Sequence, residues 1–298
     1  MHSAKITLPD GRLMAYTEYG DPAGEPLIWC HGNPSSRREA DLLEPTLLQR
    51  AHVRAIVPDR PGIGLSTWRS GRKLIDWPTD LAALTAALNI ERFALCGLAA
   101  GAPYALALAR LMPHRITRAA IISGVGPLDV LDREAQRARG PSYFMLARRA
   151  YWLVWGRTWQ MQRGLAQPDK LIAQILADLP EVDQATLNEP RTRQAYLNLL
   201  HEALRPGIRG TAYDAMLIAR PWGFLLREIK LPIDLWHGDA DRIAPLEMGG
   251  FLAEQLPNSY LHILKGEGHF SVALHHFPKI LHKLMIPGDF AMGPSNVR

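Results

Sequence analysis

The stretch from Phe93 to Tyr104 constrains this chain most, because a strand, a sharp turn and a helix follow one another within it. An apolar run of strand type ends at Gly97, and a helix-type run begins just after Gly101. Glycines two positions before and two after a central residue leave room where strand and helix pass close together. The central residue of such a turn is held in a strained conformation that lifts its side chain above the sheet. Taken alone, the pattern also fits an ordinary strand-to-helix turn.

The order of the remaining runs predicts an α/β fold with a mostly parallel, eight-stranded sheet and helices on both faces. A hairpin flanks Pro9-Asp10-Gly11-Arg12, and apolar strand-like runs then alternate with helical ones, including a predicted helix over 38–50. The alternation stops near Leu128 and resumes at Ile233–Trp236. We therefore expect a core of residues 1–127 and 229–298, with a helical insertion at 128–228.

Composition indicates a soluble globular protein, with 298 residues of which 47% are hydrophobic and 21% charged. We see no signal peptide and no apolar run of membrane-spanning length, and we expect a cytoplasmic location. Cys30 and Cys96 each end an apolar run and are expected to be buried, reduced thiols. The net charge of +5 comes largely from arginines between Arg133 and Arg163, which we interpret as a solvated lid rather than a nucleic-acid face.

Unusual polar residues follow several of the predicted strands, where sites form in open parallel sheets. His31-Gly32-Asn33-Pro34 follows one strand, and Asp59-Arg60-Pro61-Gly62-Ile63-Gly64-Leu65-Ser66 follows another. The turn at position 99 comes next, and His237-Gly238-Asp239-Ala240-Asp241 and Gly266-Glu267-Gly268-His269 follow later strands. The chain order is a nucleophile position, then an aspartate, then a histidine.

With these five motifs in order, the sequence resembles the α/β-hydrolase superfamily, in the branch with a helical cap inserted after the sixth strand. The resemblance covers nearly the whole chain and implies a serine hydrolase. It implies that His269 is the general base and that Asp241 orients it, with Asp239 and Asp129 as rival carboxylates. The backbone N–H groups of Asn33 and Ala100 are expected to form the oxyanion hole.

Position 99 departs from the family pattern, because Ala99 stands where the chemistry requires serine. A methyl group cannot attack a carbonyl, so the chain as it stands is expected to lack covalent catalysis. Two explanations compete: a deliberate Ser→Ala replacement in an active enzyme, or a natural small-molecule-binding protein without activity. We favour the first, because Asp241, His269 and the Asn33 loop are equipped for a reaction that Ala99 cannot complete.

The expected substrate is an ester or lactone of a hydrophobic, small-molecule acid, with water as the second substrate. A carbon–carbon bond hydrolase and an iminopeptidase remain alternatives, and the latter would use cap carboxylates from among Glu181, Asp183, Glu189 and Asp214. No organic cofactor, metal, nucleic acid or membrane is expected as a partner, and the sequence does not indicate the oligomeric state.

The predicted pocket residues are the cap aromatics Trp152, Trp155 and Trp159, with Phe144 nearby, and also Trp222 and Phe270. His31 and His237 are expected to pin loops.

Overall fold

The computed structural model describes residues 2–128 and 150–286 of the chain. Its eight strands form one sheet in the order β1-β2-β4-β3-β5-β6-β7-β8. The strands are β1 (His2–Thr7), β2 (Leu13–Gly20), β3 (Glu25–Cys30), β4 (Val53–Pro58), β5 (Phe93–Leu98), β6 (Ile116–Ile122), β7 (Ile233–Gly238) and β8 (Ser259–Leu264). The first hairpin and the β2–β4 pair are antiparallel, and every other pair is parallel. The predicted fold class is confirmed.

Helices connect the parallel strands because a parallel pair needs a crossover. In chain order the described helices are α1 (Leu47–Arg50), α2 (Trp77–Ala87), α3 (Ala102–Leu111), α4 (Tyr151–Gly164), α5 (Pro168–Leu176), α6 (Glu181–Asn188), α7 (Pro190–Ala203), α8 (Arg209–Ala219), α9 (Leu246–Gln255), α10 (His269–His275) and α11 (Phe277–Met285). The described residues between β6 and β7 contain helices and no strand. The insertion boundaries at 128 and 228 stay a prediction.

The predicted helix over 38–50 is wrong in its length. A short 3₁₀ turn occupies Glu39–Leu42, and α1 begins only at Leu47. Pro45 explains the interruption, because proline disfavours helical backbone at the residue before it and has no N–H to donate.

Three apolar clusters organise the molecule. One lies on the sheet face covered by α2, α3 and α9, and a second lies on the opposite face beneath α1 and α11. The third belongs mainly to helices of the insertion and reaches the core at Leu42 and Ile63. The insertion thus packs against the loops that follow β3 and β4. Cys30 and Cys96 are buried and unpaired, as predicted.

Candidate active site

The turn after β5 has the strained geometry that its glycine pattern predicts. Ala99 has a φ of 51°, in the left-handed region that costs an alanine about 1–3 kcal/mol. The residues two positions before and after it must be glycine. A Cβ at Gly101 would lie 1.9 Å from the Cys30 carbonyl oxygen. A Cβ at Gly97 would lie 2.8 Å from that of Ala105 in α3. The sharp turn therefore depends on close packing of β5, α3 and β3.

His269 and Asp241 meet as the motif order predicts. The Nδ1 of His269 donates to the Oδ2 of Asp241 at 2.8 Å, because a carboxylate can only accept. The other oxygen of Asp241 accepts from the backbone N–H groups of Ile243 and Ala244, both at 2.8 Å. Asp241 is therefore fixed in place. The Nε2 of His269, on the cavity lining, has no hydrogen-bond partner in the part of the chain that the structure describes.

The electrostatic surroundings favour a charged imidazole. Burial alone would lower the pKa of His269, but the charge and hydrogen bond of Asp241 outweigh burial and raise the pKa above its ordinary value. The rival carboxylate Asp239 does not reach the ring, since it accepts from the Gly266 N–H at 2.7 Å and holds that loop. The other rival, Asp129, lies outside the described residues.

A carboxylate of the insertion caps the helix that carries His269. Asp183 of α6 accepts from the N–H groups of His269, Phe270 and Ser271 at 2.7, 2.9 and 2.9 Å. These are the first N–H groups of α10, which have no partner within the helix. A Cβ at Gly268 would lie 2.3 Å from the same carboxylate, so glycine is needed there. Asp183 thereby fixes the backbone of His269.

The loop after β3 supplies the second part of the site. The Oε1 of buried Glu39 accepts from the Gly32 N–H at 2.8 Å and from the Ser35 hydroxyl at 2.7 Å. The remaining oxygen of Glu39 accepts from the indole N–H of Trp29 at 2.7 Å. Burial nevertheless raises the pKa of Glu39 above its ordinary value.

Two backbone N–H groups beside this loop are available to a ligand. Within the described residues, neither Asn33 N–H nor Ala100 N–H has a hydrogen-bond acceptor. Both residues border the Ala99 turn, and the geometry is compatible with the predicted oxyanion hole. The side chain of Asn33 is used differently, because its Nδ2 donates to the Thr211 carbonyl of α8 at 3.1 Å.

His31 and His237 pin loops, as expected. His31 Nδ1 donates to the Gly32 carbonyl at 2.9 Å, and burial, followed by the charge of Arg60, holds the pKa of His31 well below its ordinary value. His237 Nε2 donates to the Ala244 carbonyl at 2.6 Å. Both histidines are buried and hold the loops that follow β3 and β7.

These parts converge on one cavity of about 330 Å³. The core contributes Gly32, Asn33, Glu39, Ala99 and His269 to its lining. The insertion contributes Arg157, Thr158 and Met161 from α4 and Tyr196 and Leu199 from α7. Phe270, a predicted pocket residue, also lines it, together with Ile243 and Leu274. The lining is therefore mostly apolar, and it encloses the nucleophile position and the histidine together.

The tryptophan predictions are wrong. Trp152, Trp155 and Trp159 do not line the cavity, and they are 72%, 36% and 48% exposed. Their spacing does place them together on α4, but the helix turns the neighbouring side, with Thr158 and Met161, toward the cavity. Trp222 lies in a separate cavity with Phe224 and Phe251. Phe144 lies outside the described residues, as does Arg133, where the arginine-rich stretch begins.

The acidic residues named for an iminopeptidase do not line the cavity either. Asp183 caps α10, and Glu189 caps α7 through the N–H groups of Arg191 and Thr192. Asp214 is fully buried in ion pairs with Arg60 and Arg72. Glu181 is exposed at the start of α6. None of the four carboxylates on which the iminopeptidase alternative depends therefore faces the cavity.

Sequence reasoning does not find the supporting roles of four residues: Asp183, Asp214, Arg60 and Glu39. The three bonds of Asp183 to α10 span 86 to 88 residues, and the bond between Arg60 and Asp214 spans 154. No local pattern signals contacts of that separation. Only Arg60 lies in a motif that the sequence singles out, and that motif gave no reason for an arginine.

Residues 2–128 and 150–286 contain no group of three or more His, Cys, Asp or Glu side chains placed to hold a metal ion. None of the helices in these ranges combines the length and apolar character needed to cross a bilayer.

With the fold and the site in view, comparison with known proteins identifies the class. Residues 25–275 match the family described as "alpha/beta hydrolase fold", and the chain belongs to that family. A solved alpha/beta hydrolase fold protein from Nakamurella multipartita has a TM-score of 0.70, is 22% identical, and is matched over 95% of this chain and 98% of its own.

Two curated relatives show how varied the family is. The chain is 32% identical to a 3-hydroxybutyrate-oligomer hydrolase of Cupriavidus necator over 118 residues, which span 38% of this chain and only 39% of that protein. It is 25% identical to a 2-hydroxy-6-oxo-2,4-heptadienoate hydrolase of Pseudomonas putida over 253 residues, which span 83% of each.

Proposed function

We propose that the cavity is the acyl-transfer site of a hydrolase for an ester or lactone of a hydrophobic small acid, with a Ser-His-Asp mechanism that lacks its serine in this chain. The observation that carries the proposal is the convergence of His269, paired with Asp241, and the left-handed turn at Ala99 on one cavity. The N–H groups of Asn33 and Ala100, which have no acceptor among the described residues, border the same turn.

Each group then has a role in the reaction. A serine at position 99 would give its proton to Nε2 of His269 as its oxygen attacks the carbonyl, and the imidazolium would return that proton to the leaving group. Asp241 would stabilise the imidazolium, and the N–H groups of Asn33 and Ala100 would bind the oxyanion. Water would then release the acid by the same steps. With Ala99, the same cavity binds the ester but forms no acyl-enzyme.

The lining supports the substrate class. Most of the side chains around the cavity are apolar, with Tyr196 and Phe270 among them in an edge-to-face pair 5.4 Å apart. Such a lining favours an apolar acyl group, because each buried CH₂ contributes about 0.8 kcal/mol. Arg157 is the one arginine or lysine among the described lining residues. An acid product would leave with its carboxylate near the oxyanion amides.

The test restores serine. Ala99→Ser and, as a matched control, Ala99→Gly are assayed with aryl esters and lactones of short and medium acyl length. Glycine accepts the left-handed turn without supplying a nucleophile. We expect Ala99→Ser to raise kcat/KM by about 10³-fold or more and to show an acyl-enzyme burst, and Ala99→Gly to do neither. Adding His269→Ala to Ala99→Ser should abolish the gain.

The second explanation of Ala99 makes a different prediction. If the chain is a natural binding protein, hydrophobic esters or acids should bind, while Ala99→Ser stays as inert as the parent. That result would overturn the hydrolase proposal.

A carbon–carbon hydrolase is the remaining alternative, favoured by the relative that acts as a 2-hydroxy-6-oxo-2,4-heptadienoate hydrolase. Turnover of vinylogous diketo acids but not of esters by Ala99→Ser would support it.

A further inference from the structure

We propose that Arg60 is the positioning residue of the oxyanion hole: its guanidinium orients and polarises the peptide whose N–H is that of Asn33, and Asp214 of the insertion holds it there. Arg60 belongs to the Asp-Arg-Pro-Gly motif after β4, for which the proposed reaction has no other use. The catalytic consequence rests on the proposed function, whereas the structural role does not.

The geometry of one peptide unit carries the inference. Arg60 donates through Nη1 to the His31 carbonyl at 2.5 Å and through Nη2 to the Gly32 carbonyl at 2.6 Å. The Gly32 carbonyl and the Asn33 N–H belong to the same planar peptide, and in a trans peptide they point in opposite directions. A guanidinium that fixes the carbonyl therefore fixes the direction of the N–H.

In the two peptides whose carbonyls Arg60 contacts, the Asn33 N–H is the group left without an acceptor among the described residues. In the His31–Gly32 peptide, the carbonyl binds Arg60 and the N–H binds Glu39. In the Gly32–Asn33 peptide, the carbonyl accepts from both Arg60 and His31, and the N–H has no acceptor among the described residues. Donors on a carbonyl polarise its peptide, so the opposite N–H becomes a better donor. A charged donor has a larger effect than a neutral one.

The arginine itself is held from the insertion. Its Nε donates to Asp214 of α8 at 2.5 Å, and Arg60 and Asp214 are 1% and 0% exposed. Burial alone would raise the pKa of Asp214, but the charges of Arg60 and Arg72 lower it to about 2. The carboxylate is therefore a permanent anchor. Two guanidinium groups against one carboxylate leave this cluster with a net positive charge behind the loop, while Glu39 is the anion on the Gly32 N–H.

Backbone packing joins the same two segments. Gly210 at the start of α8 lies against Gly62 of the motif, since a Cβ on Gly210 would be 1.9 Å from the Gly62 carbonyl oxygen. The insertion thus acts on the oxyanion loop through Asp214 and Arg60. The close packing of α8 against Gly62 holds Asp214 beside Arg60.

A single NMR signal tests the structural role. Of the six asparagines in the chain, Asn33 alone follows a glycine. A sample with [¹³C]carbonyl glycine and [¹⁵N]asparagine therefore gives one carbonyl-to-amide correlation, which reports on the Gly32 carbonyl and the Asn33 N–H together. The variant is Arg60→Lys, which keeps the positive charge but loses the planar guanidinium that donates to both carbonyls. The matched control is Arg72→Lys, because Arg72 binds Asp214 and Tyr104 without contacting the loop.

We expect Arg60→Lys to move this correlation and Arg72→Lys to leave it in place. An unmoved signal in Arg60→Lys, or an equal movement in both variants, would overturn the proposal. If Arg60→Lys fails to fold, the parent chain labelled with [¹⁵N]arginine still decides, through the scalar coupling across the hydrogen bond from the Arg60 side chain to the Gly32 carbonyl. Absence of that coupling would equally refute it.

A kinetic test of the same proposal uses the Ala99→Ser enzyme. We expect Arg60→Lys in that background to lower kcat about 10- to 100-fold with KM changed less than about threefold, because the oxyanion donor acts on the transition state. A raised KM with unchanged kcat would contradict a role in the oxyanion hole. If Ala99→Ser is itself inactive, the proposed function fails, and the NMR result still decides the role of Arg60.

Discussion

Replacing Asp183 tests whether the insertion holds the helix that carries His269. Its carboxylate is fully buried and accepts three backbone N–H groups at the start of α10, including that of His269. Each hydrogen bond to a charged group contributes about 1.5–3 kcal/mol, and each buried donor left unpaired costs about 1–3 kcal/mol. Entry of water would offset part of this. We expect Asp183→Ala to lower the free energy of unfolding by about 3–5 kcal/mol.

Asp183→Asn separates the three bonds. Oδ1 accepts from Phe270 and Ser271, whereas Oδ2 accepts from His269 alone. An amide can keep the first two bonds and lose the third, so the expected loss is about 1–3 kcal/mol. In the Ala99→Ser enzyme, Asp183→Asn should also lower kcat, because the hydrogen bond that is lost is the one from the backbone N–H of His269.

The assay is urea unfolding followed by tryptophan fluorescence, with Asp178→Asn as the matched control. Asp178 is exposed just before α6, and its replacement should change the free energy of unfolding by less than about 0.5 kcal/mol. A loss below about 1 kcal/mol for Asp183→Ala, or one equal to the control, would show that Asp183 does not hold α10.

Two further predictions concern the imidazole and the cavity wall. In the Ala99→Ser enzyme, activity requires neutral His269, so Asp241→Asn should move the acid limb of the pH profile to lower pH and reduce kcat about 10³- to 10⁴-fold. Because folding raises the pKa of His269, its protonation stabilises the folded protein below about pH 6.5, and this stability is lost as pH rises through the folded pKa. The decrease in the urea midpoint caused by Asp241→Asn should therefore be larger at low pH. In the same enzyme, Met161→Ala should raise KM for apolar esters about 3- to 10-fold, whereas Trp159→Ala should leave it unchanged. Equal effects of the two would mean that the cavity wall is misassigned.

The tight turn at position 99 shows what a local pattern can determine. Gly97 and Gly101 are required by close contacts with α3 and with the end of β3, and their spacing predicts the strained φ of Ala99. The same holds for the parallel sheet, because the alternation of strands and helices is written along the chain. Motifs at strand ends then meet at one edge of that sheet. This is why His269 and Asp241, distant in sequence from the turn, could be predicted to lie beside it.

Helix spacing, by contrast, fixes which residues share a face but not which way that face points. Trp152, Trp155 and Trp159 share a face of α4, yet packing of the insertion turned it to solvent. The direction depends on how α4 packs against α5 and α8, and no local rule supplies that.

The sequence by itself determined the alternation of strands and helices and the turn at 99, because each follows from steric or hydrogen-bonding rules acting over a few residues. The family resemblance of its motifs supplied the identity of the groups expected to meet there. Only the tertiary structure decided what holds those groups: Asp183 on the histidine's helix and Asp214 on Arg60. A buried carboxylate stabilises the fold only when its donors are placed around it, and here the donors come from segments many residues away.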